Sequence, residues 1–376
     1  MGFRYRLGRL VAELQGEGPL AAMVAEEVPE QMVDRTSDPV DVTFEFGTFV
    51  EPSGPSVHLG QYRIGKQWLV SNDKYLPHLI IREGGRVHVT IDYKIGIIGA
   101  RGVARLLAPI DIAFDDVWRR LSRRFYYLIF IQVVQWIQLS KGQTFCHSSA
   151  CSNGHETLML MAWGGIGKTS SLIRLLHSSE DWRFISDDQA ILDDAGIVHR
   201  TPLKMQLYPY NLQGEPMLNQ ALMRNRSILD RLQWSTRHRL LGSKRVLRRV
   251  HAESIFGDGK GLAQAPVTRV FFLRRANVSE FTEHGLAVSD LAAQMARIVQ
   301  YELRSLWLML LAMDSAGPAT EGYGFGVDSV AAARMVEDIV KAALERVPNP
   351  PLVLDVPLGA RPADLEQAVL ARIGTG

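Results

Sequence analysis

The chain has 376 residues, 47% hydrophobic and 22% charged, with a formal net charge of +2. That balance fits a folded protein of two domains, or of one domain with a large appendage, and excludes a globally basic polyanion binder. Only Cys146 and Cys151 occur, so a disulfide framework is excluded and a reduced, cytoplasmic compartment is the expectation.

Arg4, Arg6 and Arg9 stand among apolar residues with no uninterrupted apolar core behind them, which does not read as a secretory signal. Arg6 also occupies the position where a myristoylation motif needs Ser or Thr. Leu7, Leu10, Val11 and Leu14 fall at helical spacing, so residues 1–35 are predicted as helix, either packed or presented as a basic amphipathic segment. From Asp41 to about Tyr93 the pattern alternates with period two between Pro, Gly and Asn-Asp signals, predicting a small antiparallel meander. A helical zone follows from about Ala113 to Ser140, with Asp115 and Asp116 near its start. Its most apolar part, Phe125 to Leu139, contains Gln132, Gln135 and Gln138 and falls short of the roughly 20 apolar residues a membrane span needs. It reads as a buried core helix.

Residues 143–162 predict a hairpin turning at Asn153-Gly154, with TLMLMA as a returning strand buried on both faces. Beyond it, SSLIRLLH reads as helix, WRFIS and TRVFFL (268–273) as strands, and 289–312 and 327–346 as helices. PPLVLDV is a further strand and ADLEQAVLARI a closing helix, while 314–326 reads as a mobile loop.

The segment LMLMAWGGIGKTSSLIRLL places a glycine-rich turn between a buried strand and a helix, the context of a Walker A loop. Gly164, Gly165 and Gly167 let backbone N–H groups approach phosphate oxygens, and Ile166 and Ser170 complete the cradle. Lys168 would reach the β- and γ-phosphates and Thr169 would ligate Mg2+, so ATP with Mg2+ is the expected ligand pair. Ala162 stands where the first glycine of the motif is usual, at a strand end that needs no positive φ. About twenty residues on, FISDDQAIL delivers Asp187 and Asp188 at the end of a short apolar strand. Phosphoryl transfer needs a carboxylate on the metal and an acceptor for the nucleophile's proton, and repulsion between adjacent aspartates would raise the pKa of one of them toward that of a useful base.

On these residues the chain resembles the HPr kinase/phosphorylase family, whose core is that of the phosphoenolpyruvate-carboxykinase-like kinases. CHSSACSNG stands before the strand, AWGGIGKT is the loop with Gly164 where the family has Ser, and ISDD at 185–188 matches the family's acidic segment. ESIFG (253–257) and PVTRVFFLRR (266–275) resemble later stretches more loosely, and no E-x-R-G element is recognisable. The resemblance implies a kinase acting on a serine-like or other hydroxyl of a peptide, protein or small molecule. It implies Lys168 in catalysis and Thr169 with Asp187 on the metal, with the division of base and metal roles between Asp187 and Asp188 left open. His147 either touches phosphate or acceptor, or is a satisfied strand histidine. Cys146, Cys151 and His155 match no zinc pattern.

Between Arg224 and Arg249 stand nine Lys or Arg residues and one acid, Asp230. Arg245, Arg248 and Arg249 fall on nearby helical faces, as a solvated basic face, as a site for phosphate or an acidic substrate, or as a nucleic-acid contact; no nucleic-acid module is recognisable. The expected fold is α/β: a P-loop kinase core at 141–376, its mixed sheet flanked by helices, after an N-terminal β-rich and helical extension at 1–140. The leading function is an ATP-dependent kinase, and the alternative is a nucleotide-driven switch that yields no phosphorylated product. Homo-oligomerisation is left open.

Overall fold

The computed structural model describes residues 2–93, 117–212, 216–224, 226–243, 245–317 and 328–373. The chain is mixed α/β and falls into two compact units. One holds the described residues up to Gln143 together with those of 300–336; the other holds those of 144–299 and 337–373. Residues 300–336, assigned by sequence to the second domain, group with the first unit.

The first unit is built on an eight-stranded sheet ordered β1-β2-β3-β8-β7-β6-β5-β4. Its start corrects the helix predicted for residues 1–35: β1 (Gly2–Leu7) and β2 (Leu10–Gly16) form an antiparallel hairpin, and only Pro19–Glu26 (α1) is α-helical. In GFRYRL the apolar residues Phe3, Tyr5 and Leu7 alternate with arginines, and the turn then restarts the alternation at Leu10. Gly8 makes that turn at φ +61°, and a Cβ there would lie 2.1 Å from Gln143 Nε2. Arg6 is engaged by Asp34 at 3.3 Å and Asp38 at 2.6 Å, so the terminal arginines brace the fold. Strands β4 (Ser56–Leu59), β5 (Tyr62–Gly65), β6 (Trp68–Ser71), β7 (His78–Glu83) and β8 (Arg86–Ile91) form the expected antiparallel meander. β3 (Val42–Phe46) instead pairs parallel to both β2 and β8, making the sheet mixed. Helices α2 (Val117–Phe125) and α3 (Ile131–Leu139) are joined by a π-helical turn at Tyr126–Phe130 and bury Gln132, Gln135 and Gln138, as the core-helix reading expects. Phe125 meets Phe44 edge-on at 5.3 Å between ring centroids. Asp115 and Asp116 lie outside the described residues. Among the described residues no helix is long and apolar enough to cross a membrane.

In the second unit a six-stranded sheet is ordered β12-β10-β11-β18-β20-β19. Strands β11 (Thr157–Ala162), β18 (Arg269–Ala276) and β20 (Leu352–Pro357) run parallel. β10 (Ser148–Ser152) is antiparallel to both β11 and β12 (Arg183–Ser186), so β12 runs the same way as β11. Their C-terminal ends, Ala162 and Ser186, therefore reach the same edge of the sheet, where α/β folds place ligands. Helices α4 (Lys168–Ser178) and α11 (Pro362–Ile373) contribute Leu172, Ile173, Leu176, Leu365 and Val369 to a core shared with Leu158, Leu160, Phe271 and Leu354 of the sheet. A second sheet orders β17 (Gln264–Pro266), β14 (Ile197–His199), β13 (Ala190–Asp193) and β9 (Gln143–Cys146); β15 (Met205–Leu207) and β16 (Arg248–Val250) pair separately. The β10–β11 turn spans Asn153 to Glu156 rather than two residues, because the Asn153 carboxamide oxygen accepts from the N–H groups of His155 and Glu156.

Helix α6 (Ile228–Leu241) carries Arg231, Arg237 and Arg239 of the basic stretch, α5 (Pro216–Met223) and the one-turn α7 (Glu253–Phe256) flank that stretch, and β19 (Thr282–Gly285) pairs antiparallel with β20. The single helix expected over 289–312 is two, α8 (Val288–Glu302) and α9 (Arg304–Ala316), broken at Leu303 with φ −100° and ψ 31° and no Gly or Pro to signal it. Asp314, Ser315 and Ala316 of the expected loop close α9, and residues 318–327 lie outside the described residues. Ser329–Glu345 (α10) follows as expected.

Candidate functional site

The turn between β11 and α4 is open at Gly164 and Gly165, where an added Cβ would meet nothing within 4 Å. Gly167 caps α4 at φ 117° and no side chain caps the helix, so its first N–H groups remain available to an anion. Lys168 is buried, and its ammonium donates to the carbonyls of Ala162 and Trp163, both at 3.1 Å. That folds the cation over the inside of the turn.

Beside it, the Thr169 hydroxyl donates to Asp187 Oδ1 at 2.9 Å, and the Ser149 hydroxyl donates to the same oxygen at 2.8 Å. Asp187 is fully buried, which pushes its carboxyl above the usual range; the two hydroxyls and the Lys168 charge pull the other way. Thr169 and Asp187 thus present two hard oxygen donors side by side, a set that fits Mg2+, which takes one or two carboxylates and keeps the rest of its shell for water and phosphate.

Asp188 sits at φ +70°, and the Gln189 N–H donates back to Asp187 O at 2.8 Å. A bond from residue i+2 to residue i around a positive φ is a γ-turn of the strained kind. The turn directs the two adjacent carboxylates apart: Asp187 goes to Thr169 and Ser149, while Asp188 Oδ2 accepts from Gln206 Nε2 at 3.0 Å. His147 Nδ1 lies 3.6 Å from Asp188 Oδ1, and neither ring nitrogen has a hydrogen-bond partner although the residue is 5% exposed. Burial, then the Lys168 charge, lower its pKa to about 3, so the imidazole is neutral. A satisfied strand histidine would have a hydrogen-bond partner on a ring nitrogen; His147 has none and lies in the bend between β9 and β10.

The structure also brings up residues that carry no local sequence signal. Gln206 of β15 faces Arg249 of β16 in register, which puts Arg249 on the Asp188 side of that ribbon. Asn211 donates to the Ser170 hydroxyl at 2.7 Å, and Tyr210, whose phenol is pushed up to about 12 by burial and by Tyr208, is near enough to sense both aspartates. Arg275 donates to Ile166 O at 3.3 Å and to Pro357 O at 2.5 Å, tying the glycine turn to the end of β20.

The basic trio is not helical, which corrects that expectation. Arg245 is exposed in a turn, and Arg248 and Arg249 are strand residues facing opposite ways. Arg248 is buried, pairs with Asp230 Oδ1 at 2.5 Å and stacks over the Trp234 ring at 4.8 Å, so it is committed to the fold. Glu253 of ESIFG is likewise held by Arg200, at 2.5 and 3.0 Å. Cys146 and Cys151 are free and buried, and burial pushes the Cys146 thiol up to about 12. The chain matches no protein-family model and no curated protein among those compared.

Proposed function

We propose that this protein is an ATP-dependent kinase of the HPr-kinase-like kind, transferring the γ-phosphoryl group to a hydroxyl. The observation that carries the reading is the Thr169–Asp187 pair, set beside Lys168 at the uncapped start of α4. Triphosphate oxygens would lie on the backbone N–H groups of Gly164 to Ser170, with Lys168 supplying positive charge at the β- and γ-phosphates. Mg2+, held by Thr169 and Asp187, would neutralise charge on the bridging and terminal phosphate oxygens. An acceptor hydroxyl oxygen forms the new O–P bond, the bond from the γ-phosphorus to the bridging oxygen breaks, and ADP leaves. The hydroxyl proton passes to a carboxylate. With Asp187 engaged by Thr169 and Ser149, the more open Asp188 is the better placed base, oriented by Gln206 and flanked by a neutral His147. Arg249, on the same side as Gln206, supplies charge for the transferring group, whereas Arg248 does not.

The test follows γ-labelled ATP and Mg2+ with host extract as the source of acceptor, for wild type and Asp188→Asn. Label entering an acceptor in the wild type alone supports the kinase. Label released only as free phosphate supports a nucleotide-driven switch instead.

A further inference from the structure

The second unit carries a cleft of about 760 Å3 whose cations take no part in the phosphate chemistry above. One wall is α6, where Arg231, Ser235 and His238 fall at i, i+4 and i+7 on one face, with Arg239 next to them. Arg231 is braced by the carbonyls of Arg226, at 3.1 Å, and Arg224, at 3.4 Å, which fixes a long side chain at the rim. Among the described residues no carboxylate pairs with Arg231, His238 or Arg239; the neighbouring Asp230 is already taken by Arg248 and Arg226. The opposing walls differ in character. Pro209, Leu212 and Met223 are apolar, and Asn219 adds an amide. Such a cleft offers donors and positive charge on one side and an apolar rest on the other, within the size range of small-molecule sites.

Its position relative to the aspartates is set by one short turn. Pro209–Leu212 is a single 3-10 turn whose Pro209 and Leu212 line the cleft. Its Asn211 is bonded to Ser170 of α4, and its Tyr210 stands within electrostatic reach of Asp187 and Asp188. The 209–212 turn thus belongs both to the wall of the cleft and to the contact with the first turn of α4.

We infer that this cleft seats the acceptor, a small hydroxyl compound bearing an anionic oxygen group, carboxylate or phosphate. The anion lies at Arg239 beside Ser235 and His238, with Arg231 adding positive charge at the rim; the carbon body lies against Leu212 and Met223, and the hydroxyl is directed past the 209–212 turn toward Asp188. The direction of the hydroxyl rests on the kinase reading; the anion binding does not. The reacting atoms are those already given: the acceptor oxygen bonds to the γ-phosphorus, ADP leaves with the bridging oxygen, and the proton goes to the carboxylate.

The experiment is isothermal titration of the full chain with glycerol 1-phosphate, with glycerate and with neutral glycerol, beside a parallel titration with Mg·ATP. The expected result is binding of at least one anionic probe and none of glycerol. The Arg231→Ala/Arg239→Ala pair, both exposed and so safe for folding, weakens it by about tenfold or more, as loss of charge-assisted hydrogen bonds does. Arg239→Glu weakens it further, and ATP affinity is unchanged in each variant. The probe that binds better tells phosphate from carboxylate. Glycerol binding equally well, an unchanged affinity in the paired variant, or no binding of either anionic probe overturns the inference. If the anionic probe binds through these arginines while ATP does not bind, the kinase reading falls and the cleft assignment stands. If ATP binds and the probes do not, the cleft assignment falls alone.

Discussion

The strained turn at the acidic pair gives the sharpest test of how the site is built, through Asp188→Gly compared with Asp188→Ala. Both substitutions remove the carboxylate and its 3.0 Å bond from Gln206, so those losses cancel in the difference. What remains is the backbone at φ +70°. A residue with a Cβ pays about 1–2 kcal/mol there, while glycine loses about 0.5–1 kcal/mol more conformational freedom on folding. The glycine variant is therefore the more stable of the two by about 0.5–1 kcal/mol, the reverse of the order in a helix. For a unit of this size that is a melting difference of about 2 °C, read by calorimetry or by denaturant titration at matched protein concentration. Both variants lose phosphoryl transfer if Asp188 is the base. An alanine variant as stable as the glycine variant, or more stable, would refute the strained-turn argument.

Other consequences can be measured separately. Thr169→Val keeps the shape of the side chain and removes a hydroxyl bond to Asp187, so stability falls by about 1 kcal/mol and Mg2+ no longer tightens nucleotide binding, as titrations with and without the metal would record. Arg248→Ala breaks a buried pair with Asp230 and a stack on Trp234, and lowers stability by roughly 2–3 kcal/mol in urea titration, whereas Arg245→Ala changes it by less than about 0.5 kcal/mol. His147 has a folded pKa of about 3 against an ordinary 6.5, so the unfolded chain takes up the proton first and stability falls as pH drops through that window. The limiting slope is about 1.4 kcal/mol per pH unit, and His147→Asn should lose roughly 1–2 kcal/mol less than wild type between pH 7 and pH 5. Equal acid losses in the two proteins would contradict the neutral, buried assignment.

Local patterns revealed what depended on local physics. The strand–glycine–helix order around Lys168 and the apolar strand before Asp187 were both readable, because each is set by burial and turn chemistry within a few residues. The N-terminal hairpin was misread because Leu7, Leu10 and Leu14 satisfy helical spacing as well as two strands reversed at Gly8, and only the alternation in Phe3, Tyr5 and Leu7 separates the two. Ser149, Gln206, Asn211 and Arg275 were not readable as site residues, since each reaches the site through pairing between elements distant in sequence. Arg248 and Arg249 were ranked alike in the sequence. A three-residue strand leaves too short a pattern to show that one faces Trp234 and the other the side of Gln206.

Whether the turn at 163–169 holds a nucleoside triphosphate is decided by the affinity of Mg·ATP for wild type and for Lys168→Ala. Wild type should show a saturable site, and the variant should bind about thirtyfold or more weakly, the scale of a lost hydrogen bond to charge. No ATP binding by the wild type, or equal affinity in the two proteins, would contradict triphosphate binding at this turn.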